Sequence, residues 1–172
     1  MKKKITILFL LFAIFPAYSE GKFNLKFGTD MATSFALRPF LGANVAADYT
    51  WNSGFGLGLG IKEYWNITKY DYEAPFIGGP YGFIKFKNFM AGTGFFYSYP
   101  SMPSLYFNIG GEIPIWQLKK GSLGLDFGTE LWMPQEEIIP ADSPGSGPQM
   151  SDTKKALDSF KIYLGVTYFL TL

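Results

Sequence analysis

Residues 54–61 read GFGLGLGI, with glycine at every second position and Phe55, Leu57, Leu59 and Ile61 between. Glycine costs backbone entropy and packs nothing, so its strict alternation with large apolar residues asks for a reason. The period of two gives one bulky face and one bare face, as on a strand. The small-xxx-small spacing also fits a packed membrane helix, which needs roughly 20 consecutive apolar residues. Asn52 and Ser53 precede this run and Lys62 and Glu63 end it, which favours the strand.

The same period recurs along the chain. Phe23, Leu25 and Phe27 alternate with Lys22, Asn24, Lys26 and Gly28. Leu41, Ala43, Val45, Ala47, Tyr49 and Trp51 alternate with Gly42, Asn44, Ala46, Asp48 and Thr50. PYGFIKFK at 80–87 carries aromatics on both faces. A tight turn at Lys87-Asn88 resolves its register, setting Phe83 opposite Gly92, Tyr81 opposite Gly94 and Phe86 opposite Phe89. Segments 89–97, 105–116, 122–133 and 159–172 alternate likewise, with Phe107, Leu125 and Leu164 on their apolar faces. Eight strands of roughly ten residues result, the length that spans a bilayer when tilted. The connections fall at 31–38, 52–54, 63–75, 87–88, 98–104, 117–121 and 134–157, long alternating with short. Antiparallel barrels of the outer membrane alternate in this way. The reading is an all-β, eight-stranded antiparallel up-and-down transmembrane β-barrel. A soluble lipocalin-like barrel, with its apolar face turned inward, is the alternative.

The first residues stand apart. Lys2, Lys3 and Lys4 precede a short apolar run, and Ala17-Tyr18-Ser19 is a small-residue cleavage pattern. Residues 1–19 read as a secretory signal peptide and 20–172 as one barrel domain. Export of a chain with no cysteine excludes a disulfide scaffold. With 19% aromatic and 17% charged residues, the composition suits a surface facing lipid better than one facing water. No basic patch points to nucleic acid.

In such a barrel Leu57, Leu59, Phe107, Leu125 and Leu164 face lipid. The opposite parity carries a polar lumen network of Lys26, Asp48, Lys62, Glu112, Asp126, Glu130 and Lys161. Glycines 56, 58 and 60 then make room for Tyr81, Phe83, Tyr106 and Trp132. Glu112 faces Asp126 across the sixth and seventh strands if the turn centres near Lys119. Such a pair titrates together and resembles a glycosidase's carboxylates. The competing reading is a salt-bridged core, with Lys26, Lys62, Lys85, Lys161 and Arg38 as partners. Glu130 and Lys161 come level across the seventh and eighth strands. Tyr49, Trp51, Phe55, Phe86 and Phe89 flank the short turns, and Tyr64, Trp65, Tyr97, Tyr99 and Trp132 lie near the long loops, as two interface girdles. Trp65, Tyr70 and Tyr72 also offer a carbohydrate-stacking reading.

The last strand resembles the C-terminal strand of bacterial outer-membrane proteins, with Tyr168, Leu170 and Leu172 in the alternation read by the barrel-assembly machinery. That family usually ends in an aromatic, and here the last residue is leucine. In length, strand count and patterning the mature chain is similar to the small eight-stranded outer-membrane barrels: the OmpA membrane domain, OmpX and OmpW. The resemblance implies an outer-membrane location and outer-membrane lipid as partner. Barrel enzymes of similar size use a histidine base beside a serine, and this chain has no histidine. A non-enzymatic protein is expected, without cofactor or metal. Two roles follow. One is a structural or surface-interaction protein that meets an extracellular ligand through loops 63–75 and 134–157. The other is an OmpW-like, porin-like narrow channel for small or hydrophobic molecules.

Overall fold

The computed structural model describes residues 20–34, 39–67, 76–98, 104–134 and 159–172. The strands are β1 (Gly21–Ser34), β2 (Pro39–Trp51), β3 (Phe55–Asn66), β4 (Phe76–Phe86), β5 (Phe89–Ser98), β6 (Ser104–Leu118), β7 (Gly121–Pro134) and β8 (Phe160–Thr171). Each pairs antiparallel with its neighbours in sequence, and β1 also pairs with β8. The chain is therefore an all-β, closed, eight-stranded up-and-down barrel. Closure leaves no free sheet edge along the shared length of the strands.

The expected register at the β4–β5 hairpin is the observed one: Tyr81 pairs with Gly94, Phe83 with Gly92 and Phe86 with Phe89. Two boundaries move outward from their expected places: β1 continues to Ser34 and β3 to Asn66, so residues 31–34 and 63–66 are strand, while β4 begins at Phe76, where the expected 63–75 connection ends. The β6–β7 turn shrinks to residues 119–120. The cause is the ladder: β3 gains partners on both sides as far as Trp65. Polar character at Glu63 and Asn66 does not end a strand whose backbone is paired on either side.

Gly54 (φ 84°) and Lys87 (φ 54°) adopt left-handed conformations in two neighbouring turns. Such a φ is uncommon outside glycine. Lys87 N–H donates to Gly54 O at 2.7 Å, which fastens one turn to the other. β6 overhangs β5, whose first residue Phe89 pairs with Gly111. Pro114 falls in that overhang, where its missing N–H costs no β5 bond. The ladder to β7 is irregular between Pro114 and Trp116.

One parity of each strand points in and the other out. Leu59 is 72% exposed, Phe89 70% and Ile109 69%, whereas Lys26, Lys62 and Glu130 are at most 2% exposed. The interior fills by pairing bulk with absence of bulk. On the inner face Gly58 pairs with Phe83 and Gly60 with Tyr81. A Cβ at Gly58 would overlap the Phe83 ring, and one at Gly60 would overlap Tyr81 and Ala46. Gly110 and Gly128 leave the same kind of room for the Tyr163 hydroxyl. These contacts predict that Gly58→Val destabilises the barrel by about 1–3 kcal/mol through overpacking. Phe83→Ala should return part of that loss when combined with it. Urea unfolding in detergent, followed by tryptophan fluorescence, measures both.

Candidate functional site

The barrel interior concentrates the polar chemistry of the chain, and it is built in three tiers. At the long-loop end, Phe40, Tyr64, Phe96, Tyr106 and Trp132 form one buried aromatic cluster. Phe96 stacks on Tyr106 with ring centroids 4.1 Å apart, and Tyr64 lies 5.2 Å from Trp132. Each residue sits near the loop end of its strand, so the rings meet across the bore. Tyr64 and Trp132 thus belong to the interior, not to an outer girdle. Tyr64 shares the even parity of Lys62, and that parity, not closeness to a loop, decides its direction.

The middle tier is held by Glu130. Its Oε1 accepts from Lys62 Nζ at 2.6 Å, Tyr64 OH at 2.8 Å and Tyr106 OH at 2.9 Å. Its Oε2 accepts from the Trp132 indole at 3.1 Å. Lys62 also meets Asp30 Oδ2 at 3.1 Å, and its ammonium lies 4.1 Å from the centroid of the Tyr163 ring. Asp30 was not among the expected lumen residues, because the first strand was expected to end there. The alternation of Lys26 and Gly28, carried one step further, finds it.

The lower tier joins Lys26, Asp48, Lys85 and Glu112. Lys26 Nζ stands 2.5 Å from Glu112 Oε1 and 3.0 Å from Asp48 Oδ2. Lys85 completes the square at 3.4 Å from Asp48 and 3.9 Å from Glu112. Asn24 and Thr50 donate to Asp48 Oδ1 at 2.8 and 2.7 Å. A recess of about 180 Å³ at the short-turn end reaches Lys85 and Glu112 and is also lined by Phe169 and Pro114.

All the expected lumen residues, Lys26, Asp48, Lys62, Glu112, Asp126, Glu130 and Lys161, are buried. Glu112 pairs with Asp126 and Glu130 with Lys161 in the ladder. Side-chain contacts follow a different plan from those registers. Glu112 is taken by Lys26, and Glu130 by Lys62 from across the bore. Lys161 places its ammonium 4.1 Å from the Trp132 ring centroid and 4.9 Å from that of Phe40. Asp126 Oδ1, Asn108, Tyr163 OH and Thr167 Oγ1 are buried without a hydrogen-bond partner among the described residues. Cross-bore reach was invisible in the strand pattern, which orders neighbours around the wall only.

Among the described residues no cluster of acids has the form of a metal site. On the outer face Leu59, Phe107 and Leu164 are exposed and Leu57 and Leu125 half-buried. Tyr168 donates to Lys120 O at 3.3 Å, and Leu172 N–H donates to Phe23 O at 2.9 Å. The expected signal peptide, Arg38, Tyr70, Tyr72, Tyr99 and most of the expected loops 63–75 and 134–157 lie outside the described residues. No protein-family model matches the chain, and no curated protein matches its sequence.

Removing one partner of a buried pair leaves a charge stranded, at a cost of about 3–5 kcal/mol. Lys62→Met should therefore cost about that much. Adding Glu130→Leu should give a double variant clearly more stable than the sum of the single effects predicts. Additive losses in a double-mutant cycle on unfolding would contradict the pairing.

Proposed function

We propose that this chain is an integral outer-membrane barrel that serves as a structural or surface-interaction protein and carries no conduction pathway. The observation that carries the reading is the inversion of the barrel: ion pairs lie inside, and Leu59, Ile109, Phe89 and Leu164 are turned out. A soluble barrel exposing that much contiguous apolar surface would associate or precipitate. In lipid the same surface is solvated, and a closed barrel satisfies every backbone group the bilayer cannot.

The outer aromatics support the same placement. Trp51, Phe55, Phe86, Phe89 and Trp116 ring the short-turn end, and Trp65, Phe76 and Tyr97 the long-loop end. Trp51 and Phe55 stack at 5.5 Å across the β2–β3 turn. Amphipathic rings of this kind sit at membrane interfaces. The chain reaches that membrane through its signal peptide and the assembly machinery, which reads Tyr168, Leu170 and Leu172.

The lumen tiers argue against a conduit. A solute entering from the loop end meets five packed rings, then the Lys62–Glu130 knot, then the Lys26–Glu112 square. Eight-stranded barrels have interiors just wide enough for such side chains. What remains for contact with partners is the loop end, where 67–75 and 135–159 are the longest connections between strands, and an extracellular ligand there is the implied partner. No cofactor or catalytic group enters this role.

Two measurements test the reading. Leu59→Arg should impair insertion into vesicles, since a basic residue facing mid-bilayer costs about 2–4 kcal/mol. The wild-type protein should float with liposomes and give no single-channel steps in planar bilayers. Reproducible conductance would overturn the sealed-lumen reading, and failure to float would overturn the membrane one.

A further inference from the structure

The barrel wall is uneven at the short-turn end. The β4–β5 turn is only Lys87-Asn88, and Phe89 already pairs with Gly111. β6 runs past that rung to Leu118 with β7 alone beside it. A notch therefore lies under the turn, flanked by residues 112–118 of β6. The recess of about 180 Å³ lies in this notch. Lys87 and Asn88 line it from the turn, Pro114 from the overhang, and Lys85, Glu112 and Ser122 from the inner face of the wall.

Two lysines reach the recess, and the core makes little use of either. Lys26 holds its two acids at 2.5 and 3.0 Å. Lys85 stands 3.4 Å from Asp48 Oδ1, 3.5 Å from Asp48 Oδ2 and 3.9 Å from Glu112 Oε2. These distances exceed the roughly 2.7–3.2 Å of a good N–H···O bond. An ammonium carries several N–H donors, so most of the capacity of Lys85 is left over.

Lys87 is placed against its backbone preference. It adopts φ 54°, and glycine is the usual residue at such a position of a two-residue turn. Its N–H bond to Gly54 O needs no side chain. Its ammonium has no ion pair among the described residues and lies 5.5 Å from the centroid of the exposed Phe86 ring. Backbone conformations of this kind collect at functional sites. The lower square is neutral, with Lys26 and Lys85 against Asp48 and Glu112, so Lys87 gives the recess one positive charge in excess. The side chains of Asn88 and Ser122 add donors that make no hydrogen bond among the described residues.

We propose that this recess binds one phosphate group. Phosphate oxygens point in several directions and accept from donors on different sides, here Lys85 of β4, Lys87 and Asn88 of the turn and Ser122 of β7. The recess is smaller than the roughly 300–1,000 Å³ that a drug-sized ligand needs, so one group enters and not a whole larger molecule. Glu112 bears the ligand's sign, and its charge is already met by Lys26. Phe89 and Trp116, both exposed, flank the notch on the outer wall. On the membrane reading above they set it at the interface, within reach of a lipid phosphate, and free phosphate reaches it from the aqueous side. The lipid as source rests on that reading; the phosphate site does not.

The test titrates the protein in phosphate-free maltoside micelles with inorganic phosphate, against chloride at equal ionic strength. Phosphate at about a hundredfold excess over its Kd should raise the unfolding midpoint by about 5–10 °C and broaden its own ³¹P resonance. Lys85→Met would also disturb the square, so Lys87→Gly is the deciding variant. It should bind phosphate about tenfold more weakly, the loss of one charge-assisted hydrogen bond. Without phosphate it should unfold no more easily than the wild type, because glycine suits that φ. Native mass spectrometry then compares phosphatidylglycerol with diacylglycerol of identical chains. Retention of the phospholipid about tenfold above diacylglycerol, reduced in Lys87→Gly, assigns the site to a lipid phosphate. Equal retention beside intact binding of inorganic phosphate assigns it to free phosphate. Wild-type protein indifferent to both phosphate and phospholipid, or Lys87→Gly binding both as well as the wild type, would overturn the site. Flotation with liposomes, which tests the membrane reading, is independent of these outcomes.

Discussion

Glu130 sits where four donors converge: Lys62 and Tyr64 from β3, Tyr106 from β6 and Trp132 from β7 itself. A carboxylate in a closed interior is costly unless its oxygens are satisfied and its charge is paired. That requirement fixes which strands must face each other across the bore. It also fixes the height at which the aromatic cluster sits, because Tyr64, Tyr106 and Trp132 belong to the cluster and to the knot at once. The rings exclude water from the pair, and the pair orders the rings. Removing either would leave the other poorly placed.

The glycines are the geometric counterpart of that chemistry. A barrel of eight strands encloses too little volume for a large side chain at every inward position. Here bulk on one strand is answered by its absence on the next: Phe83 by Gly58 and Gly92, Tyr81 by Gly60 and Gly94, Asp30 by Gly42 and Gly165. GFGLGLGI is the inner floor on which the β4 aromatics lie. Each glycine weakens its own strand, and the loss is offset by the packing and ion pairing that the vacated space admits.

The wall of the barrel was legible in the sequence. Alternation gave the strand count, the facing parity and the register of the β4–β5 hairpin, because a period of two is written directly into the residue order. The interior was legible only as a set of residues. Which lysine meets which acid depends on reach across the bore, and no neighbour relation in the chain encodes it. Strand parity sets Glu112 opposite Asp126 and Glu130 level with Lys161, as the ladder does, and the salt-bridged core it offers is the observed one, but it leaves Lys26 and Lys62 as unassigned partners until the side chains reach across the bore. Strand ends were lost for a related reason. Asp30 and Tyr64 look like the start of a loop when read alone and like strand once both flanking ladders exist.

Inside and outside treat charge by opposite rules, and the contrast gives Glu63 its meaning. Every other acid of the strands lies inward, and Asp30, Asp48, Glu112 and Glu130 each have a lysine within 4 Å. Glu63 stands one position from Lys62 in the chain, yet the alternation that sends Lys62 into the Glu130 knot sends Glu63 outward. A slip of one residue would exchange them, putting an ammonium against hydrocarbon and a third carboxylate beside Asp30 and Glu130. The register is thus held by the interior, and the interior leaves Glu63 on the outer surface without an internal partner. On the proposed membrane reading, a charge held there by a register the core enforces must be answered from the bilayer side.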